Sequence, residues 1–562
     1  MSGASAATRH CSRWRWPRST GAGPRPPERS RQCSQRLLSA GRSSTPAATA
    51  AIPGISSWAC FRLCRWWRPR HWRWWESRSR LPRRQRARWP SSSALPGHAK
   101  PRAPRTGARA ACLRPEEALR AKRARLDCKR PPAPAFALPA LNAVRITYIT
   151  AGAAGTICGN CLRDNALAAA LKKVGHDVVL LPAYTPLLTD EEDVSEPRVV
   201  LSGVNLYLQS KLKLARSIGL LDPLLDHPRL LRWASSFAVE TNPAQLGEMT
   251  RDTFLGDRGP YRREIRKLLG VLRDLQPDVV HLTNSMLASV AAPIKRHLGV
   301  PVVCSLQGEA DFLAGLPEPR RSECYDLLRE HAAQVDSWIA PCRDQVEAMR
   351  AALGVAAEEF ETILPGISTD GYGLARVRSE NRFVIGFLAR ISEEKGLSVL
   401  ARAVDVLRKR HPGRAIELRV AGWRADTKQS YIDGLRGQYG FDDLGYLHRD
   451  EKIAFLKGLD AFSVPATYRA SKGLYVLEAL AAGVPVVQPR IGVFPELLDM
   501  TGGGLSCTPG DSEDLAAKLE TLMTDAASAS QLGHSGRGKL HTHGTAERMA
   551  GQTLAVYEQL LG

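Results

Sequence analysis

Short apolar, β-branched runs alternate along this chain with amphipathic stretches, and most runs end in a glycine or polar turn. "VRITYIT" (Val144–Thr150) passes through "AGAAGTICGNC" into a helical pattern, "LRDNALAAALKKVGHDVVLL", whose last residues read as a second strand. Near-continuous apolar strands separated by helices bury both sheet faces only in a parallel sheet covered by helices. The pattern recurs. "PDVVHLT" (Pro277–Thr283), "PVVCSLQG" (Pro301–Gly308), "SWIAP" and "ETILPGI" complete one set. "RFVIGFL", "IELRVAGW", "AFSVPAT" and Val484–Gln488 make another, beyond the Gly-rich linker "PGISTDGYGLARVRSE". The expectation is an α/β fold of two Rossmann-like, doubly wound halves facing a central cleft. Asn160 is expected to cap the first helix and Gly175 to end it in the left-handed conformation.

Net charge is +23, but it is unevenly placed. Residues 1–140 hold 31 Lys and Arg against 5 Asp and Glu, and nine of the twelve Trp. The remainder holds 48 against 51, so a globular body gives no ground for a specific nucleic-acid partner. Residues 1–143 are rich in Arg, Pro, Ser, Ala and Trp, without helical or strand period. Such a segment buries little and repels itself, so a disordered basic tail is expected. A nucleic-acid arm and a membrane-surface segment are alternatives. An over-extended reading frame explains the composition more simply, although no Met falls between Met1 and Met249 to mark another start.

No clean signal peptide and no apolar run of about 20 residues is seen. The expected location is cytoplasmic, with peripheral contact at the inner membrane face left open by the mixed apolar and basic stretch Val204–Thr253. That stretch reads mainly as a helical insertion packed on the sheet. Six cysteines lie in the body: Cys158, Cys161, Cys304, Cys324, Cys342 and Cys507. Only Cys158-Gly-Asn-Cys161 is a close pair. One CxxC without a second pair is weak evidence for zinc, and no metal site is expected. A redox motif is the other functional reading, and reduced structural thiols the preferred one.

Two stretches carry chemistry. In "GFLARISEEKG" (Gly386–Gly396) a strand delivers Arg390, and Lys395 follows at a helix start. Two cations there suit a diphosphate, and a surface pairing with Glu393 and Glu394 is the alternative. In "SKGLYVLEALAAGVPVVQPR" (Ser471–Arg490) a polar turn opens an apolar helix that keeps one carboxylate, Glu478. Free amides at that start can hold phosphate oxygens, and a carboxylate one turn on can fork to a ribose diol. The first turn's glycines, Gly152 and Gly155, lack dinucleotide spacing but permit close backbone approach to a ligand.

With "VPATYRASKGLYVLEALAAGVPVVQP" and "IGVFPELL" added, residues 144–562 resemble the family 4 retaining glycosyltransferases of GT-B architecture. The resemblance implies an acceptor-binding domain at 144–375 and a nucleotide-sugar-binding domain at 376–562. It implies transfer from a nucleotide-diphosphate sugar to an unidentified acceptor, with retention of configuration and no metal or other cofactor. Arg390, Lys395 and Glu478 take the catalytic positions. Gly155, Gln307, Lys472, Gly473 and Leu474 stand on the donor side. Gly152, Glu309 and Asp311 are acceptor-side candidates.

Two positions depart from the family pattern. Ala470 replaces the first of two glutamates with seven residues between them, the one that contacts the transferred sugar. Gln307 stands where a His is common, and it cannot carry a proton; Glu309 or Asp311 are the substitutes. A GT-B pseudoenzyme that binds nucleotide or glycan without turnover is therefore the second reading, and a GT-B epimerase or phosphorylase a distant third.

Overall fold

A computed structural model describes residues 143–152, 158–201, 243–375 and 381–562. The basic tail, Gly155 and most of the insertion read at Val204–Thr253 lie outside the described residues.

The first sheet comprises β1 (Arg145–Thr150), β2 (Asp177–Pro182), β3 (Val279–Leu282), β4 (Val302–Ser305), β5 (Ser337–Ala340) and β6 (Phe360–Thr362). Its order is β2-β1-β3-β4-β5-β6, and every pairing is parallel. Central β1 pairs Ile146 with Val178 on one side and Val279 on the other. Helix α1 (Gly159–Lys173) crosses from β1 to β2, and α2 (Arg262–Leu275) precedes β3. In α2, Ile265, Leu268, Leu269 and Leu272 recur at helical spacing and are all buried. Their stripe faces the core while the arginines stay out.

The second sheet comprises β7 (Arg382–Leu388), β8 (Ala415–Ala421), β9 (Asp442–Asp443), β10 (Ala461–Phe462), β11 (Val486–Pro489) and β12 (Gly504–Cys507). Its order, β12-β11-β10-β7-β8-β9, is again all parallel. Around it lie α3 (Leu397–Arg410), α4 (Arg449–Lys457) and α5 (Leu474–Ala481). In each sheet the winding reverses once, between β1 and β3 and between β7 and β10. Ligands of doubly wound sheets sit outside the carboxyl ends of the strands at such switch points.

Two local expectations are corrected. Asn160 lies inside the first turn of α1, and Cys158 is the cap: its backbone is extended and its sulfur accepts from the Cys161 amide. The last helix, α6 (Ala546–Leu561), falls within 376–562, the range expected to form the second half. It instead packs on the first sheet, where Met549, Ala550, Leu554 and Tyr557 join a core with Ile146, Tyr148 and Leu167. The Tyr557 hydroxyl lies 2.6 Å from His281 Nδ1, giving two buried polar groups a partner.

A glycine fixes the turn that delivers Lys395. Gly396 has φ +76°, and a Cβ there would lie 2.0 Å from the Pro465 carbonyl oxygen. Gly396→Ala is therefore expected to cost roughly 1–3 kcal/mol in backbone strain before the clash is counted. A urea denaturation midpoint no lower than wild type would show that the turn is not confined.

Candidate active site

Between the two sheets lies a cavity of ≈ 680 Å³, within the range of small-molecule sites. The structure brings most of the expected residues to it: Arg390, Lys395 and Glu478, then Lys472, Gly473 and Leu474, and from the first half Gln307 and Asp311.

Arg390 follows β7 and is half exposed, its guanidinium 3.2 Å from Glu394 Oε1. Glu394 also accepts from the Ser392 hydroxyl at 2.6 Å, and these partners hold its carboxyl below the usual range against the opposing effect of burial. Lys395 is more enclosed. Its ammonium donates to the Tyr468 hydroxyl at 2.5 Å and lies over the rings of Tyr468 and Tyr475 at 4.8 and 5.3 Å. Burial, with Arg390 nearby, pushes its pKa down to about 8. Gly473, in the left-handed conformation at φ +60°, caps the start of α5. The first amides of a helix have no intrahelical acceptor, so this start is electropositive.

Glu478 answers the question raised by a carboxylate on an otherwise apolar helix. It lines the cavity, but its Oε1 accepts from Lys452 of α4 at 2.5 Å. Lys452 also pairs with Asp190, on the segment after β2 in the first half. Side-chain exposure is 7% for Lys452, 6% for Asp190 and 13% for Glu478. Burial alone would lower the lysine's pKa; the two carboxylates outweigh it, and the pKa is raised. Beside this trio Arg449 pairs with Glu191 at 2.7 Å. Further bridges join the halves. Lys472 and Ser471 both donate to the Gln307 carbonyl, at 2.7 and 3.0 Å, and Arg469 pairs with Asp344.

Lys472 thus points inward and not to solvent. Burial pushes its pKa down to about 8, against the opposing pull of Cys158, Glu309 and Asp164. Gln307 is positioned from below: its Nε2 donates to Asp164 Oδ1 and Thr283 Oγ1, each at 2.7 Å. Asp164 also accepts from Thr150 and Thr283 and stands beside buried Arg163. Gln307 Oε1 is buried without a hydrogen-bond partner among the described residues.

Two acceptor-side candidates are not at the cavity. Glu309 is buried, its carboxylate accepting from the Ser285 amide and hydroxyl and from the Gln307 amide. It clasps the β4 turn and does not line the cavity. Gly152 packs against Thr185, whose carbonyl oxygen would lie 2.0 Å from an added Cβ. Its glycine requirement is met by the chain itself. The structure adds residues that sequence reasoning missed, chiefly Lys452, Asp190, Tyr468 and Tyr475, with Trp423 and Tyr446 after β8 and β9. Among the described residues no group of three or more His, Cys, Asp or Glu side chains gathers to hold a metal. No helix among them is long and apolar enough to cross a membrane.

Two family models match the chain in tandem, the glycosyl transferase 4-like domain over residues 165–366 and glycosyl transferases group 1 over residues 375–539. The glycogen synthase of Mycobacterium tuberculosis is 28% identical over 301 residues, covering 52% of this chain and 71% of that protein. Among solved structures, sucrose-phosphate synthase from Thermosynechococcus elongatus superposes with a TM-score of 0.55 at 16% identity, covering 74% of this chain and 99% of the other. HepE of Anabaena, solved in complex with UDP, does so with a TM-score of 0.50 at 17% identity, covering 74% and 100%. The chain belongs to the family 4 glycosyltransferases of GT-B architecture. It is a glycosyltransferase with a nucleotide-sugar donor.

Proposed function

We propose that the protein is a retaining glycosyltransferase that moves a sugar from a nucleotide diphosphate to a hydroxyl acceptor, with protein cations and not a metal neutralising the leaving diphosphate. The observation that carries this reading is convergence: Arg390, Lys395 and the start of α5 all line one cavity. Cations and amides fixed where charge develops stabilise the transition state without reorganising. Glu478 Oε1 is held by Lys452, which leaves Oε2 to accept from the ribose. Gln307, which lines the same cavity, belongs to the donor side.

As the glycosidic C–O bond lengthens, its electrons pass to the diphosphate, and the anomeric carbon takes on oxocarbenium character. The acceptor hydroxyl enters from the same face. Its proton passes to the leaving phosphate, so neither Gln307 nor Glu309 need carry it. Residues 144–375 supply the acceptor side, no cofactor is needed, and contact with a membrane surface would be peripheral.

Ala470 favours a second reading. It is buried at the cavity wall and offers a methyl where the family pattern has a carboxylate, which fits a scaffold that binds the donor without turnover. The test is a thermal-shift screen of the protein with UDP-, GDP- and ADP-sugars, coupled to an assay for nucleoside diphosphate release. A ligand at 100 times its Kd stabilises the native state by about 2.7 kcal/mol. A raised Tm with release on adding an acceptor is the expected result. A raised Tm without release against any glycan or small-molecule acceptor supports the scaffold reading, and no shift with any donor overturns both.

A further inference from the structure

We infer that Cys158 and Cys161 form a redox-active dithiol in the cleft wall, one that closes reversibly to a disulfide by exchange with a low-molecular-weight disulfide. The two sulfurs lie 3.3 Å apart. Cys158 lines the cavity, whereas Cys161, one turn further into α1, is fully buried. A small disulfide therefore reaches the first thiol and not the second. This is the division of labour that an attacking and a resolving cysteine require.

Three features of the surroundings activate Cys158. The Cys161 sulfur is within hydrogen-bonding distance of it, and the Cys161 amide lies 3.5 Å from its sulfur at the start of a fifteen-residue helix. The Lys472 side chain passes close by: a Cβ added at Gly159 would lie 3.5 Å from Lys472 Cε. The Cys161 hydrogen bond leads in bringing the Cys158 thiol below the usual thiol range, overcoming burial, with Lys472 adding to it. Cys161 moves the other way, pushed well up by its bond to Cys158 and by burial. The thiolate is the reactive form of cysteine, so this direction favours attack by Cys158.

In the first step the Cys158 thiolate attacks one sulfur of the small disulfide. That S–S bond breaks, one thiolate leaves, and a mixed disulfide remains on Cys158. Cys161 then gives its proton to the departed thiolate and attacks Cys158 Sγ, expelling the second small thiolate, which takes a proton from solvent. Two electrons pass from the protein's two sulfurs to the small disulfide, which ends as two thiols. The inference is independent of the proposed transfer reaction, because it rests on the geometry of the pair and of the groups around it.

The test uses the full chain in oxidised and reduced glutathione at graded ratios, followed by acid quench, alkylation and tryptic mapping. Cleavage after Arg145 and Arg163 yields peptide 146–163, which holds both thiols and no other cysteine. Buried Cys304, Cys324, Cys342 and Cys507 serve as internal controls. The expected result is a peptide two hydrogens lighter and closed to alkylation as the ratio turns oxidising, fully restored by dithiothreitol. Cys161→Ser is expected to stop with glutathione on Cys158, and Cys158→Ser to leave Cys161 unmodified. Two alkylatable thiols in the wild type at the most oxidising ratio, or no glutathione on the Cys161→Ser protein, overturns the proposal.

Discussion

Replacing Lys395 with alanine lowers kcat/KM for sugar transfer by roughly 10²–10³-fold, and Arg390→Ala does the same, the scale for losing one fixed donor to developing charge. The two losses differ in character. Arg390 is half exposed and already shares its charge with Glu394, so its contribution weakens as salt is added. Lys395 sits against Tyr468 and Tyr475, where water screens it less, and its contribution holds. The wild type also carries a pH signature. Burial lowers the pKa of both Lys395 and Lys472 to about 8. The charged form is present below that pH and lost above it, so kcat/KM, which reports the free enzyme, falls as pH rises through about 8. The fall in kcat comes at higher pH, because a bound diphosphate opposes loss of the proton. Wild-type rates in both variants, or a kcat/KM flat to pH 10, would place the diphosphate elsewhere.

Much of the fold was visible in the chain because parallel strands announce themselves. Runs such as Val144–Thr150 and Pro301–Gly308 are apolar, β-branched and closed by turn residues, and each contains a strand. The end of the chain was harder. β12, "GLSC", has one apolar aliphatic residue in four, and nothing local marks it as a strand. The helical spacing of Met549, Leu554 and Tyr557 is plain, but spacing does not say which sheet a helix covers. α6 goes to the first, where Tyr557 meets His281. At the site, Arg390, Lys395 and Glu478 could be read because each sits in a local motif. Lys452 and Asp190 could not, because each acts through a partner remote in sequence; the neighbouring pair Arg449 and Glu191 is 258 positions apart. Glu309 misled for a different reason. The family pattern offers it as a substitute for the His that Gln307 replaces, and only the fold shows Ser285 and the Gln307 amide enclosing it. Asn160 misled because cap statistics favour asparagine over cysteine, whereas the turn sets the cap two residues earlier.

Lys452→Met is expected to lower stability by about 3–5 kcal/mol, the penalty for removing one partner of a buried ion pair. The physical reason lies in what remains. Asp190 and Glu478 both pair with this one ammonium, and both are nearly enclosed. Methionine fills the lysine's volume, so packing is kept and only charge is lost. Two carboxylates then face each other with no cation between them. The loss is structural in a second sense, since Lys452 and Glu478 belong to the second half and Asp190 to the first. Without the lysine one of the fasteners across the cleft becomes a repulsion, and donor affinity should fall along with the urea midpoint. Neutralising the acids separates these effects. Lys452→Met combined with Asp190→Asn and Glu478→Gln removes the repulsion, and stability should recover by more than half. Donor affinity should not recover with it if Glu478 also grips the ribose, because a neutral amide oxygen accepts a weaker hydrogen bond than a carboxylate oxygen. Recovery of both together would make Glu478 a structural residue alone, and a Lys452→Met protein as stable as wild type would mean that the trio contributes nothing to holding the halves in place.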